Sequence, residues 1–509
     1  MDRTMMTTML FAFASSFVLA IAIVPLARWI CARFGLVDKP DGRRKIHKRP
    51  TPLAGGLAIF VSLIGAWLVL SQLDTGWEQY ASIDIQLLLG LLGSLVILVS
   101  VGVADDYGLL RGRHKLLGQI FAVGLLVLSG LVVRRLHIFG LEIELGFFSY
   151  PFTAFWLLGA INSLNLLDGM DGLLGTIALV AASAVGAIAL AAGDLLTAFL
   201  AASVAGAILG FLVYNLPPAS VFLGDAGSMS LGLIVGVLAL RSATTSNSGL
   251  VLLPALALLA LPILDTSTAI VRRKLTGRSV YTTDRGHLHH VLLRHGFSPG
   301  RVLQLVALMS TICSLGAAAG ILARVELVAA VTAVLVVVIL VTTRLYGHAE
   351  YQLLRNRLVA AGRSFFHGPQ SERADQLEVH LQGSADWRQL WRQMTEHALR
   401  LNLQSVRLDV NAPALHEGYH ARWDRPHVET ECQDYWYTLI PLTAGGQNVG
   451  RLEIRGLRDE VPVCDRILQV ARLVEEFEKA ASLMSTARHD TFAGSLGVMR
   501  SPALLSAAD

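Results

Sequence analysis

The fold of this chain is decided by runs such as residues 85–104, which read IQLLLGLLGSLVILVSVGVA and are followed at once by Asp105 and Asp106. About 20 apolar residues in one helix span the hydrocarbon of a bilayer, where the backbone must form all of its hydrogen bonds within the protein. Two adjacent carboxylates at the end of such a run are costly unless a cation pairs with them or a reaction uses them. The stretch therefore predicts a membrane helix that ends in a polar, functional loop.

Similar apolar runs recur along the first two thirds of the chain. The 509 residues are 53% hydrophobic and 16% charged, which is too apolar for an ordinary soluble protein. We predict an all-α polytopic membrane domain over residues 1–345 with about eleven transmembrane helices. Their predicted bounds are 10–30, 53–73, 85–104, 116–133, 147–163, 173–192, 195–214, 228–241, 248–265, 303–322 and 325–344.

Basic residues predict the orientation of these spans, because cytoplasmic loops carry an excess of Lys and Arg. One set of loops holds the clusters 43–49, 111–115 and 272–278, whereas the opposite side holds only scattered arginines. We therefore expect a periplasmic N-terminus and a cytoplasmic C-terminus in a bacterial inner membrane. The net charge of +4 is too small to suggest nucleic acid as a partner.

Charged residues become frequent after the last span. We predict a linker over 346–372, a small cytoplasmic α/β domain of unknown role over 373–484 and a disordered tail over 485–509. Alternation predicts strands near 377–381, 406–410, 435–440 and 449–454, and helical spacing predicts helices near 387–401 and 467–477. Nothing in this domain resembles a catalytic motif, and a regulatory partner is one hypothesis for it.

The first two cytoplasmic loops carry cations and carboxylates. Arg44, Lys45 and His47 form a basic cluster suited to a phosphate, although topology or lipid headgroups explain it equally well. Gly55 and Gly56 permit a close backbone approach. The Asp105–Asp106 pair is followed by Lys115, and capping of a helix end is the structural alternative for the two acids.

The next two loops carry oxygen ligands suited to Mg²⁺, with Mn²⁺ as a substitute. Asn162, Asn165 and Asp168 recur at helical spacing, and the two Asp-Gly steps that begin at Asp168 and Asp171 then break the helix and place carboxylates in a turn. In the fourth loop, Asn215 precedes Asp225, which lies between two glycines at the start of a span. Helix capping is the alternative role for Asp225.

The fifth loop combines Arg285 with three histidines, His287, His289 and His290. No cysteine pair or His-x3-His spacing supports a closed zinc site. These side chains are better suited to binding a pyrophosphate or a sugar.

These motifs, in this order, resemble those of the polyprenyl-phosphate N-acetylhexosamine-1-phosphate transferases, closest to the undecaprenyl-phosphate N-acetylglucosamine-1-phosphate transferase branch. The resemblance covers roughly residues 10–345 and is carried by Asp38-x-Pro40 with Arg44-Lys45-x-His47, Asp105-Asp106, Asn162-x-x-Asn165-x-x-Asp168-Gly-x-Asp171-Gly, Phe222-x-Gly-Asp225-x-Gly-Ser228 and Asp284-Arg-Gly-His287-Leu-His289-His290. It implies transfer of a sugar 1-phosphate from a UDP-N-acetylhexosamine to undecaprenyl phosphate, releasing UMP and starting a lipid-linked cell-surface polysaccharide such as lipopolysaccharide O-antigen.

The resemblance also implies roles for individual residues. Asp225 would be the principal Mg²⁺ ligand with Asn165 beside it, and Asp105 the base or nucleophile with Asp106 next to it. Asp168 and Asp171 would be acidic positions tied to activity. The substrates would be held by Arg44, Lys45, His47, Lys115, Asn162, Asn215, Arg285, His287, His289 and His290.

Several alternatives stay open at this point. The sugar is expected to be N-acetylglucosamine, and a phospho-N-acetylmuramoyl-pentapeptide transferase of peptidoglycan synthesis is the runner-up. A transporter is the rival from another class, but it would carry its ionisable groups near mid-membrane rather than in loops. Membrane lipids are expected neighbours, and a homodimer is left open.

Overall fold

A computed structural model gives the structure of the protein. It describes residues 3–40, 50–72, 84–244, 249–279, 286–367, 375–382, 387–401, 403–412, 417–425, 435–444, 447–457 and most of 464–479. The chain forms two compact units. Unit 1 comprises residues 1–269 and 287–346, and unit 2 comprises residues 270–286 and 347–509.

Unit 1 is a helical assembly, as its apolar sequence requires. Its helices, with the one that continues into unit 2, are α1 (Arg3–Arg33), α2 (Gly55–Ser71), α3 (Ile85–Asp106), α4 (Gly112–Leu128), α5 (Ser149–Leu167), α6 (Leu173–Ala192), α7 (Leu195–Asn215), α8 (Gly224–Ser242), α9 (Leu252–Leu258), α10 (Ala260–Leu275), α11 (Leu288–Arg294), α12 (Pro299–Leu322) and α13 (Glu326–Thr342). Short strands are β1 (Val37–Asp38), β2 (Thr51–Pro52), β3 (Arg135–Ile138), β4 (Leu141–Glu144) and β5 (Gly249–Val251).

Every predicted span overlaps a helix among the described residues, but fewer helices are long and apolar enough to cross a bilayer. Among the described residues six qualify, or seven if a bent pair counts as one span. Two further apolar helices, Gly55–Ser71 and Glu326–Thr342, are shorter. The structure is therefore that of a polytopic membrane protein, without establishing eleven crossings.

The predicted span 248–265 is not one straight helix. It begins as strand β5 and continues as α9 and α10, which are bent by 82° at a short break. Pro262 lies in the first turn of α10. Its ring lacks an N–H and clashes with the carbonyl four residues earlier, which explains why the helix breaks before it.

Helix α8 lies at the centre of unit 1, and nearly all of its side chains are buried. It packs against α2, α3 and α5. A Cβ on Gly56 of α2 would lie 2.2 Å from the Gly227 nitrogen, and one on Gly102 of α3 would lie 2.2 Å from the Ala226 Cα. Only glycine allows this approach, so these two positions bring the start of α8 against α2 and α3.

Unit 2 contains a five-stranded antiparallel sheet, whose strand order is β6-β8-β7-β10-β9. Its elements are α14 (His348–His367), β6 (Asp375–Gln382), α15 (Trp387–Arg400), β7 (Leu403–Ala412), β8 (Glu417–Asp424), β9 (Tyr435–Ala444) and β10 (Gln447–Leu457). Trp387 and Trp391 are buried in its core with Leu408 and Val410, as expected for core residues.

Two elements of unit 2 differ from the pattern read in the sequence. Helix α14 occupies most of the segment predicted as a linker. Strand β8, which reads EGYHARWD, has no clear apolar alternation and was not predicted. Pairing on both edges, with β6 and β7, accounts for it, because a central strand depends on its neighbours more than on its own composition.

Candidate active site

Lys115 lies between two carboxylates from different helices. Its Nζ is 2.9 Å from Asp105 Oδ2 at the end of α3 and 2.7 Å from Asp225 Oδ1 at the start of α8. The three side chains are each less than one third exposed. Charge-assisted hydrogen bonds of this length are strong, and they join residues of the second and fourth loops into one cluster.

Asp106 has a different environment from Asp105. Its Oδ1 accepts a hydrogen bond from the Asp225 backbone N–H at 2.9 Å, and its Oδ2 accepts one from Ala226 at 3.5 Å. These are free N–H groups of the first turn of α8, where a carboxylate is stabilised. Asp106 thus fixes the start of α8, whereas Asp105 faces Lys115.

Of the two asparagines of α5, Asn165 contacts this cluster and Asn162 contacts Gln119. Asn165 Nδ2 donates to Asp225 Oδ1 at 3.1 Å. Asn162 Nδ2 donates to Gln119 Oε1 at 2.9 Å and to the Leu158 carbonyl at 2.8 Å. The predicted helical face is therefore real, with Asn165 touching the carboxylate and Asn162 positioning Gln119.

Asp168 adds a further negative charge just after α5. Burial, and then the charges of Asp225, Asp106 and Asp171, raise the pKa of Asp168 to about 7. Asp171 itself accepts a hydrogen bond from the Ala219 N–H at 2.9 Å. Among the described residues, this region thus holds more carboxylates than the ammonium of Lys115 balances.

Asn215 connects two of the loops. Its Oδ1 accepts from the Gly172 N–H at 3.0 Å, and its Nδ2 donates to the Val221 carbonyl at 2.8 Å. The side chain is buried. These contacts are with the chain itself, so Asn215 holds the third and fourth loops together.

His287 is oriented by Asp265, a carboxylate inside α10. Asp265 is fully buried and lies 2.7 Å from His287 Nδ1. It also accepts hydrogen bonds from the Leu288 N–H and the Tyr346 hydroxyl, both at 2.7 Å. Nδ1 of His287 therefore faces this carboxylate, and Nε2 is the ring nitrogen left for another partner.

His289 packs on the turn that follows α5. A Cβ on Gly169 would lie 2.5 Å from His289 Nε2, so the Asp168–Gly169 turn touches the imidazole. His290 lies next to it, with ring centroids 4.1 Å apart. Both ring nitrogens of His289 are buried without a hydrogen-bond partner among the described residues. Burial lowers the pKa of His289 to about 4, which makes it a neutral imidazole at physiological pH.

Some predicted site residues lie outside the described part of the chain. They are Arg44, Lys45, His47 and Arg285. Their roles stay predictions.

Three residues with contacts to the site were not singled out from the sequence as site residues: Gln119, Asp265 and Tyr346. Asp265 had a signal, since a carboxylate within the apolar stretch 259–270 needs a partner. Gln119 also had a signal, since it follows Lys115 by one helical turn. Tyr346 had none, because its contact with Asp265 joins side chains far apart in the sequence.

The oxygen donors suit a hard divalent cation. Among the described residues, no three His, Cys, Asp or Glu side chains are placed to hold a metal by themselves. Asp225 and Asp105 are both within 3 Å of the Lys115 ammonium, and Asn165 adjoins them. Mg²⁺ commonly uses one or two carboxylates and completes its shell with water and substrate phosphates, so this donor set is compatible with it.

Comparison with known proteins shows that the chain is similar to a family of transferases. Residues 88–243 match the model of glycosyl transferase family 4. The chain is 30% identical over 308 residues to a probable undecaprenyl-phosphate N-acetylglucosaminyl 1-phosphate transferase of Bacillus subtilis, covering 60% of this chain and 83% of that protein.

Two further relatives carry similar names. An undecaprenyl-phosphate alpha-N-acetylglucosaminyl 1-phosphate transferase of Yersinia pestis is 29% identical, covering 61% of this chain and 83% of its own length. A decaprenyl-phosphate N-acetylglucosaminephosphotransferase of Mycolicibacterium smegmatis is 34% identical, covering 62% and 83%. The family match lies entirely within unit 1.

Proposed function

The chain belongs to glycosyl transferase family 4, and from this we propose that it transfers N-acetylglucosamine 1-phosphate from a UDP-sugar to undecaprenyl phosphate, releasing UMP. It is a membrane-bound sugar-phosphate transferase. The decaprenyl-phosphate enzymes among its relatives carry out a reaction of the same type on a different lipid, as their names state.

The contact of Lys115 with both Asp105 and Asp225 is the observation that supports this function best. A phosphate oxygen of the lipid attacks the β-phosphorus of the nucleotide-sugar, and the bond from that phosphorus to UMP breaks. Three phosphate groups meet in this step, and the developing charge needs a fixed cation close by. Lys115 supplies one cation, held in place by carboxylates from α3 and α8.

Asp105 is the carboxylate placed for the chemistry. It lies beside Lys115 and contacts Asp225. This position suits either removal of a proton from the lipid phosphate, or direct attack on the β-phosphorus with loss of UMP, after which the lipid phosphate takes the sugar phosphate from Asp105. Asp106 is a positioning residue, because both of its oxygens accept backbone N–H groups of α8.

The surplus of carboxylates supports a divalent cation, and we assign Mg²⁺, with Mn²⁺ as a substitute, to Asp225 and Asn165. When bound, the ion would neutralise pyrophosphate charge. Burial is the main cause of the raised pKa of Asp168, and the neighbouring carboxylates add to it.

The histidines are assigned to the nucleotide-sugar. His287 presents Nε2 because Asp265 holds Nδ1, and His289 offers two unpaired ring nitrogens among the described residues. A buried polar group without a partner is unfavourable, and a hydroxyl-rich sugar or a phosphate would satisfy it. Arg44, Lys45, His47 and Arg285 are proposed to add cationic contacts.

The same function implies a topology and a setting. Eleven crossings, a periplasmic N-terminus and a cytoplasmic active site in the inner membrane would give the site access to cytoplasmic UDP-sugar. The product would start a lipid-linked cell-surface polysaccharide. A homodimer and a regulatory partner for the C-terminal domain remain part of the proposal.

One experiment tests the reaction directly. Membranes containing the protein are incubated with undecaprenyl phosphate, Mg²⁺ and either radiolabelled UDP-N-acetylglucosamine or another labelled UDP-sugar. We expect labelled lipid and released UMP from UDP-N-acetylglucosamine. Label only from UDP-N-acetylmuramoyl-pentapeptide would favour the peptidoglycan enzyme, and no label from any donor would favour a transporter.

A matched control uses a carboxylate at the other end of the helices. Asp194 caps α7 through Thr197 and pairs with Arg241. It lies one helix length, about 30 Å, from the loop that follows α7. Asp194→Asn should retain transfer under the same conditions.

A further inference from the structure

The hairpin of β3 and β4 has an apolar face that the helices of unit 1 cover only in part. Opposite residues of an antiparallel pair point to the same face, which here carries Leu136 with Ile143 and Ile138 with Leu141. Leu250 of β5 pairs with Leu136 and continues this face. Leu250 is completely buried and Leu136 is 7% exposed, whereas Ile143 and Leu141 are 45% and 68% exposed. Strand β4 therefore extends the apolar face beyond the helices that cover β5 and β3.

The opposite face of the hairpin is polar. Arg135 forms ion pairs there with Glu142 at 3.0 Å and with Glu144 at 3.2 Å, and all three side chains are more than one third exposed. All four residues of β4 are thus exposed, although they alternate strictly between apolar and acidic. Such alternation is typical of a strand with an apolar medium on one face and water on the other.

The tip of the hairpin carries a bulky residue where the backbone disfavours one. Phe139 has a φ of 50° and Gly140 a φ of 79°. Such a turn ordinarily contains Asn-Gly or Asp-Gly, because a bulky side chain is strained at a positive φ. The Phe139 N–H donates to Glu326 Oε2 at 3.0 Å, which fixes the turn to the start of α13. The Phe139 side chain is nevertheless exposed, so packing against the described residues does not account for a phenylalanine here.

Aromatic side chains follow β4 directly. Phe147 and Phe148 precede α5, Tyr150 lies in its first turn, and all three are exposed. Aromatic residues at the end of a membrane helix are typical of the boundary between lipid and water. The hairpin therefore joins an aromatic stretch with the composition of a membrane interface.

The surface of α4 continues this apolar region towards the middle of the helices. Its exposed apolar residues recur every three or four positions and form one stripe, which contains Leu117, Phe121, Leu125 and Leu128. In a membrane protein, an exposed apolar stripe of this length is suited to contact with lipid. The stripe ends with α4 at Leu128, at the end of unit 1 where the hairpin begins.

This end of α4 and α5 is remote from the candidate active site. Lys115 lies at the start of α4 and Asn165 at the end of α5, whereas the hairpin connects the other two ends of these helices. Helix rise places Leu128 about 20 Å from Lys115 along the axis of α4. The apolar face of β4 therefore belongs to the opposite side of the membrane domain from the Lys115 cluster.

We propose that the β3–β4 hairpin is a membrane anchor, which lies at the boundary of headgroups and acyl chains in the leaflet farther from Lys115. Its partner is the lipid bilayer. Leu141, Ile143 and the Phe139 ring contact acyl chains, and the face that carries Arg135 contacts water. Burial of these apolar side chains in lipid offsets the strain at Phe139. The anchor does not depend on which reaction the protein catalyses.

The test measures the depth of nitroxide spin labels in a bilayer. The full-length protein first receives Cys432→Ser and Cys464→Ser, and Cys31 and Cys313 are buried and stay in place. One cysteine is then added, labelled and reconstituted in bilayers of phosphatidylethanolamine and phosphatidylglycerol. The depth follows from the ratio of label relaxation by O₂, which concentrates in hydrocarbon, to relaxation by a water-soluble nickel chelate.

The two faces of β4 should give different depths. Labels at Leu141→Cys and Ile143→Cys should lie about 5–10 Å below the lipid phosphates. Glu142→Cys and Glu144→Cys are the matched controls on the same strand, and their labels should lie at or above the phosphates. Each control removes one exposed ion pair of Arg135 and leaves the other, so the hairpin should stay folded.

Equal depths on the two faces, or labels in water at both Leu141→Cys and Ile143→Cys, would overturn the anchor. Low access of both O₂ and the nickel chelate to these two labels would show that protein covers the face, and would overturn it too. The role of the tip is tested by adding Phe139→Asn to Leu141→Cys. Asparagine accepts this turn, so the hairpin should remain while the label moves closer to the phosphates. An unchanged depth would remove Phe139 from the anchor.

Discussion

The two units of this protein use buried charge in opposite ways. In unit 1, Lys115 is shared between Asp105 and Asp225, and Asp168 adds further negative charge nearby. In unit 2, Arg278 and Asp409 satisfy each other almost completely. A surplus of negative charge is unfavourable until a ligand balances it, whereas a fully hydrogen-bonded ion pair needs no ligand.

The difference separates groups that act on substrate from groups that hold the chain in place. Excess carboxylate at the end of membrane helices is suited to a cation and to phosphates. A bidentate pair on a sheet is suited to attachment. Substitutions in the two units should therefore differ in their effects on transfer.

The largest effect is expected from Asp225→Asn. It removes a charge that holds Lys115 and, in the proposed function, the metal, so transfer should fall by about 10³-fold or more. Asp105→Asn should cause a loss of similar size. The measurement is labelled lipid formed per minute at saturating substrates, with Asp194→Asn as control, and near-normal turnover of either variant would remove its residue from the mechanism.

A smaller effect is expected from Asp265→Asn. The substitution weakens the acceptor that sets the tautomer of His287, and loss of such an orienting partner costs about 10- to 100-fold. Transfer at limiting UDP-sugar is the readout. Tyr346→Phe removes one of the three contacts to Asp265 and leaves the His287 pair, so it should lose less activity. An equal loss of activity in the Asp265→Asn and Tyr346→Phe proteins would show that packing, not the His287 contact, is responsible.

The smallest effect on kcat is expected from removing residues 370–509. This deletion leaves unit 1 intact, so basal transfer should persist. Turnover at saturating donor is compared with that of the full chain. Complete loss of transfer would mean that the two units are not separable in function.

Much of the division into a membrane unit and a polar C-terminal unit could be predicted from the sequence, because apolar runs and polar loops are local patterns. The helices of unit 1 and most strands of unit 2 lie where periodicity predicts them. The bend before Pro262 and strand β8 were missed, since one depends on a single proline within an apolar run and the other on its neighbouring strands. The separate roles of Asp105 and Asp106 could not be predicted either, because the sequence does not show which hydrogen-bond partner each of two adjacent aspartates has.

The sequence by itself determined that the chain lies in a membrane, that its polar motifs fall in a few loops, and which residue types those motifs offer. These properties follow from hydrophobicity and order along the chain. Only the tertiary structure decided that Lys115 joins Asp105 to Asp225, that Asp265 orients His287 and that Asp409 holds Arg278. Such pairs join residues 10 to 131 positions apart, and which distant groups meet depends on packing such as the glycine contacts around α8.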